Sequence, residues 1–189
     1  MLERMPESNS RSHLKRLPSV YYRGESSYVH WTMTIDKRRT GWLDSLSHAR
    51  LREALLHSLC KYEMLCPMYS LMPDHGHFLL IGHSESSDQL RAISHFRRQW
   101  NQTLRPNFEL QHQCYDHVLR ERDRTRDAFQ AIAHYISQNP VRAGFVEEVA
   151  SYPYWGAIFP GRPNMDPRAD NFWKSFWMGW KSLREEGKR

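Results

Sequence analysis

Three things are scarce in this chain of 189 residues, and each scarcity removes a class of protein. Cysteine is the first. There are only three, Cys60, Cys66 and Cys114, and none forms a C-x-x-C pair. That excludes a disulfide framework and predicts a reducing compartment. Apolar runs are the second. None approaches the roughly 20 residues that span a bilayer, and the polar start, MLERMPESNSRSHLKRLP, lacks the apolar core of a signal peptide. A soluble, cytoplasmic protein with no membrane partner is the expectation. Acidic residues are the third: 21 Asp and Glu face 27 Lys and Arg, a net charge of +6. An acidic partner follows, and nucleic acid is the commonest one. No internal repeat is visible. What is present is 40% hydrophobic residues, enough for a packed core, beside long polar stretches that bring the mean hydropathy to -0.76.

Residues 1–18 read as a loose basic arm. Tyr28 to Ile35 alternates, with Val29, Trp31, Met33 and Ile35 on one face and His30, Thr32 and Thr34 on the other, which predicts a half-buried strand. Ser47 can cap a helix reaching about Tyr62. Residues 64–72 read as a strand, with Pro67 suggesting an edge or a strand start. Pro73-Asp74 is a turn, and 75–82 is a third strand, so the two form a hairpin. A helix over about 87–105, a short strand at 115–120 and a helix from about Thr125 to Asn139 follow. Residues 145–160 read as irregular and aromatic. A linker leads to a last helix over about 170–184. The order β-α-β-β-α-β-α predicts an α+β fold, an antiparallel sheet with helices on one face. The domain organisation expected is the arm, one domain over 19–160, and a linker with an amphipathic helix over 161–189.

Two features carry chemistry. In MPDHGHF, His75 and His77 are i and i+2 on a strand, so both project from one face while Gly76 points to the other. Imidazole is the commonest biological metal ligand, and Asp74 can orient one ring from behind. An H-x-H alone is a weak motif, and a chance pair of core or surface histidines explains it as well. The second feature lies in YISQNPVRAG. Tyr135 and Asn139 are one helical turn apart on one flank of the stripe made by Phe129, Ile132 and Ile136, and Pro140 ends or kinks the helix just beyond. A tyrosine there can act as a nucleophile beside a metal or be an ordinary interfacial tyrosine.

Taken together, MPDH-x-HFLLI, YISQNPVRAGFV and SYPYWGA, in that order and spacing, closely resemble the single-tyrosine HUH transposases, most of all the REP-associated tyrosine transposases. The likeness runs from about Tyr21 to Gly156. It implies a ferredoxin-like antiparallel sheet with helices, His75 and His77 as metal ligands, Asn139 at the position of a third ligand, and Tyr135 as the nucleophile. It implies Mg²⁺ or Mn²⁺ as cofactor. The expected partner is single-stranded DNA carrying REP-like hairpins, cleaved and rejoined through a 5′-phosphotyrosine by a monomer or a homodimer. The alternative is a domesticated hairpin-binding protein with little or no cleavage activity. A zinc hydrolase ranks last, since no third strong ligand and no Glu base accompany the histidines.

One position departs from the pattern. The middle residue of HUH is usually bulky and apolar, and here it is Gly76. A glycine facing the core is expected to cost packing and strand propensity without removing a ligand. Candidate phosphate contacts are Arg38 and Arg39 after the first strand, Arg97 and Arg98 on the second helix, Arg120 in RERDRTR, and Arg142 after the tyrosine helix. In the tail, Trp173, Phe176, Trp177, Trp180 and Leu183 make one helical stripe. Docking against the core is the favoured reading, ahead of base stacking.

Overall fold

The computed structural model describes residues 16–25, 27–119 and 125–187. Five strands form one antiparallel sheet: β1 (Tyr28–Thr34), β2 (Met64–Met72), β3 (His75–Gly82), β4 (Tyr115–Val118) and β5 (Trp155–Ile158). They lie in the order β4-β1-β3-β2-β5. The helices are α1 (Ser45–Lys61), α2 (Gln89–Leu104), α3 (Arg126–Ser137), the single turn α4 (Asn139–Arg142) and α5 (Phe172–Glu186). The first four strands, with α1 and α2 as crossovers, reproduce the β-α-β-β-α-β ferredoxin-like arrangement. The α+β class expected from the element order is the one observed.

The period-2 alternation of β1 and β3 decides the layers. Val29, Trp31, Met33, Phe78 and Leu80 face one side, where they bury against Leu51, Leu55 and Leu59 of α1 and Ile93, Phe96 and Trp100 of α2. Tyr28, Leu79 and Ile81 face the other, against Phe129, Ala133 and Ile136 of α3. The helices therefore divide between two faces: α1 and α2 on one, α3 and α5 on the other. The sheet has an apolar surface on both sides at this end, and each needs a cover.

Four local details differ from the expectation. Asp44, not Ser47, caps α1, accepting the Ser47 amide proton at 2.7 Å. Pro67 does not mark an edge. The register on both neighbouring strands shifts between residues 65 and 69, and this bulge absorbs the missing amide donor inside an interior strand. Residues 155–158 are a strand, β5, paired to β2; four residues framed by prolines are too short for alternation to be read. Finally, the chain resumes a helical turn after α3, with Pro140 in the first turn of α4, where a missing N–H costs nothing.

The tail docks. Trp177 lies 5.4 Å from Phe129 and Phe176 5.9 Å from Phe159, between ring centroids, and the Trp180 indole donates to the Gly82 carbonyl at 2.9 Å. The stripe is spent on the core of the α3 face, so the docking reading holds. The three cysteines are free thiols. Among the described residues no helix is long and apolar enough to cross a membrane.

Candidate metal and nucleophile site

The hairpin turn at Pro73-Asp74 delivers β3 with His75 and His77 on the α3 face. The register pairs Thr34 with His75 and Thr32 with His77, so the polar face of β1 lies beside them. The Nε2 atoms of the two imidazoles face each other at 3.0 Å. On the far side of His75, Nδ1 lies 2.6 Å from an Asp74 carboxylate oxygen. The carboxylate only accepts, so His75 carries a proton on Nδ1, and its Nε2 presents a lone pair when the ring is neutral. The other Asp74 oxygen accepts from Arg38 at 2.7 Å. Partial burial opposes the charged carboxylate, but the His75 hydrogen bond and the charges of His75 and Arg38 outweigh it and hold the Asp74 carboxyl below its usual range.

His77 has its second nitrogen engaged too. Its Nδ1 lies 3.1 Å from His30 Nε2 and 3.1 Å from the Thr32 hydroxyl. Burial first, then the nearby charges of His30, His75 and Arg142, push the His77 imidazole down to about 3. Burial, then the charge of His117, pushes His30 down to about 4. Both rings are neutral near pH 7, the form in which imidazole binds metals. His117 pairs with His30 across β1 and β4. A row of four histidines thus crosses the sheet from His75 to His117.

The 3.0 Å separation is an ordinary hydrogen-bond distance, and it is also the spacing that adjacent ligands of an octahedral ion would have. Neighbouring ligands at about 2.1 Å from such an ion lie about 3.0 Å apart, whereas tetrahedral zinc spreads them to about 3.4 Å. Among the described residues, no three His, Cys, Asp or Glu side chains converge on one point.

Gly76 faces the α1–α2 core, and the space beside it is filled. A Cβ at this position would come within 2.9 Å of the Phe78 ring and 3.1 Å of Leu71. The expected packing cost is therefore offset: Phe78 and Leu71 occupy the volume that a bulky middle residue would take, and the histidines keep their common face.

Tyr135 lies on α3, which packs on the histidines' side of the sheet through Phe129, Ala133 and Ile136, and Asn139 opens α4. Tyr135 is 54% exposed. The Arg142 guanidinium lies 3.7 Å from its ring centroid, donates to the Tyr135 carbonyl at 3.1 Å and also to the Asn139 side-chain oxygen. The Asn139 amide donates to the Ile136 carbonyl at 3.1 Å. Asn139 is thus tied into its own turn, and among the described residues neither contact leads to a histidine. Tyr135, Asn139 and Arg142 form one unit, joined by the Arg142 guanidinium.

The other arginines separate. Arg38 is part of the Asp74–His75 chain. Arg39 packs 5.3 Å from the Phe108 ring centroid. Arg97 donates to the carbonyls of Gln111 and His112, and with Arg98 it lines a cavity of about 600 Å³ beside α2, across the sheet from the histidines. Arg120 lies outside the described residues. Sequence reasoning gives neither His30 nor His117 a role at the site. The signal was available: the β1 alternation already placed His30 and Thr32 together on one face.

No family model and no curated protein matches this sequence. Among solved structures, the chain is similar to a REP-associated tyrosine transposase bound to a REP hairpin, with 21% identity, 76% of this chain and 81% of that one covered, and a TM-score of 0.62. At that identity the likeness shows the fold, the same antiparallel sheet with helices.

Proposed function

We propose that this protein is a metal-dependent nickase and strand transferase that acts on single-stranded DNA beside hairpins. The observation that carries the reading is the pair of imidazole Nε2 atoms facing each other at 3.0 Å, on the sheet face that the helix bearing Tyr135 covers. The similar fold belongs to a transposase bound to a hairpin, and the basic balance of the chain suits the same partner.

In this reading His75 and His77 hold Mg²⁺ or Mn²⁺, with Asn139 turned from Arg142 toward the ion as the third ligand. Such an ion, when bound, polarises the scissile phosphate and stabilises the charge that gathers on its oxygens. Tyr135 Oη attacks phosphorus and the bond to the 3′ oxygen breaks. The phenol proton passes to solvent, and the leaving 3′ oxygen takes up a proton to become a hydroxyl. The 5′-phosphotyrosine conserves the bond for rejoining. Arg142, freed from Tyr135 and Asn139, is placed to hold a phosphate oxygen. Arg38 acts through Asp74 on His75. Arg39, Arg97, Arg98 and Arg120 are the remaining phosphate contacts of this proposal, and those on α2 serve DNA that wraps past the sheet edge.

The test is a labelled hairpin with a single-stranded flank, incubated with Mn²⁺. The wild type should give a covalent protein–DNA adduct, and Tyr135→Phe should give none at an unchanged melting temperature, because the ring is exposed. An adduct that persists in Tyr135→Phe sinks the nucleophile assignment. The Asn139 tie to Arg142 and Ile136 favours a second reading, a domesticated hairpin-binding protein. Hairpin binding without adduct in both Mg²⁺ and Mn²⁺ would select it.

A further inference from the structure

The proton on His77 decides what the histidine pair can do. With the proton on Nε2, His77 donates to His75 and the pair closes as a hydrogen bond. With the proton on Nδ1, both Nε2 atoms present lone pairs to the same point, and the pair becomes a chelate. His75 has no such choice, because the Asp74 carboxylate fixes its proton on Nδ1. The choice at His77 rests with whatever touches its Nδ1, and two groups do: the Thr32 hydroxyl and His30 Nε2, each at 3.1 Å. A hydroxyl rotates and both donates and accepts, so it supports either tautomer equally. A neutral imidazole presents one donor nitrogen and one acceptor nitrogen.

We propose that His30 is the positioning residue that makes His77 a metal ligand, by accepting the His77 Nδ1 proton at its own Nε2. This rests on the metal-site reading above and adds a residue to it. The surroundings agree. The His30 and His77 rings are 5.2 Å apart between centroids, with planes tilted by 39°, and β1 and β3 are hydrogen-bonded through this stretch, which fixes both backbones. His30 is half-buried, and Nε2 is the ring atom it turns toward His77 Nδ1. Asp74 and His30 then play matching parts at the two ends of the pair, each taking the proton from the nitrogen that does not ligate. Partners of this kind change metal affinity by about 10- to 100-fold when removed.

The experiment measures Mn²⁺ affinity of the full chain by titration calorimetry and by electron paramagnetic resonance, beside melting temperatures. His30→Leu should weaken Mn²⁺ by about 10- to 100-fold. His30→Gln, whose side-chain oxygen can accept, should recover most of that loss, and Thr32→Val should shift affinity by less than about threefold. In the Mg²⁺-loaded wild type, ¹⁵N spectra should show a coupling through the hydrogen bond from His77 Nδ1 to His30 Nε2, a measurement that needs no variant to fold. Unchanged affinity in His30→Leu, a loss confined to Thr32→Val, or no such coupling would overturn the role of His30 alone. A wild type that takes up no Mn²⁺ or Mg²⁺ would overturn the metal-site reading and this proposal with it.

Discussion

Phe78 and His77 are neighbours in sequence and face opposite media. Phe78 is fully buried, its ring 5.2 Å from Phe96 and 5.8 Å from Trp100, in a core with no room for an added Cβ at Gly76. His77 meets the imidazole nitrogens of His75 and His30 and the Thr32 hydroxyl. Period-2 alternation thus sets the aromatic core of the α1–α2 side against the histidine pair, while Leu79 and Ile81, farther along the same strand, close a second core on the histidines' side. What the comparison teaches is that packing and chemistry can be changed independently, one residue apart.

The largest effect belongs to the packed side. Phe78→Ala should cost about 3–5 kcal/mol, since it deletes a ring from a closely packed core. Chemical denaturation at neutral pH measures it, and a loss under about 1 kcal/mol would mean that this face is not the stability core. Next comes the other side of the strand. His77→Ala should leave the denaturation midpoint nearly unchanged yet weaken Mn²⁺ by about 100-fold, which corresponds to about 2.7 kcal/mol. A variant that loses stability but keeps the ion would reverse the assignment of the two faces. Between them sits Gly76. Gly76→Leu, which puts a bulky apolar side chain between the two histidines, should destabilise by about 1–3 kcal/mol through overpacking against Phe78 and Leu71. A stabilised Gly76→Leu would show that the glycine leaves a hole after all.

Most of this division was legible in the sequence, because alternation in β1 and β3 is strong and both strands are long enough to show it. The pair His75 and His77, the helix carrying Tyr135 and the turn at Pro73-Asp74 all fall where the pattern puts them. What escaped was set by contacts between segments distant in sequence. β5 is four residues long and exists because β2 offers it an edge. The division of helices between two faces depends on α3 and α5 finding an apolar surface that no local pattern announces. His30 escaped for a different reason: its face was read correctly, but a lone histidine in a strand has no motif, and its role comes from the register that sets β1 against β3. The tie between Asn139 and Arg142 likewise depends on the chain re-entering a helical turn after α3, past a proline that read as a stop.

The smallest expected effect tests whether a histidine on the α1–α2 side behaves differently from those on the α3 side. His48, on α1, meets the Tyr69 hydroxyl at 2.9 Å and the Tyr154 ring edge-on at 5.6 Å. Burial, then the charge of Arg52, pushes it from 6.5 down to about 4. The unfolded chain binds this proton as the pH falls through about 6.5, while the folded chain binds it only near 4. His48 therefore costs no stability above about pH 6.5 and an increasing amount as the pH falls toward 4. His48→Gln keeps a polar contact to Tyr69 and cannot titrate. Between pH 7 and 4.5 the variant should lose less stability than the wild type, by about 1 kcal/mol once solvent screening at this half-exposed site is allowed for. Every other ionisable group is common to both proteins, so the difference between their urea midpoints at the two pH values isolates His48. Equal losses would mean that His48 takes up its proton in the folded protein without leaving its place, and that the packed side is more open to water at α1 than at Phe78.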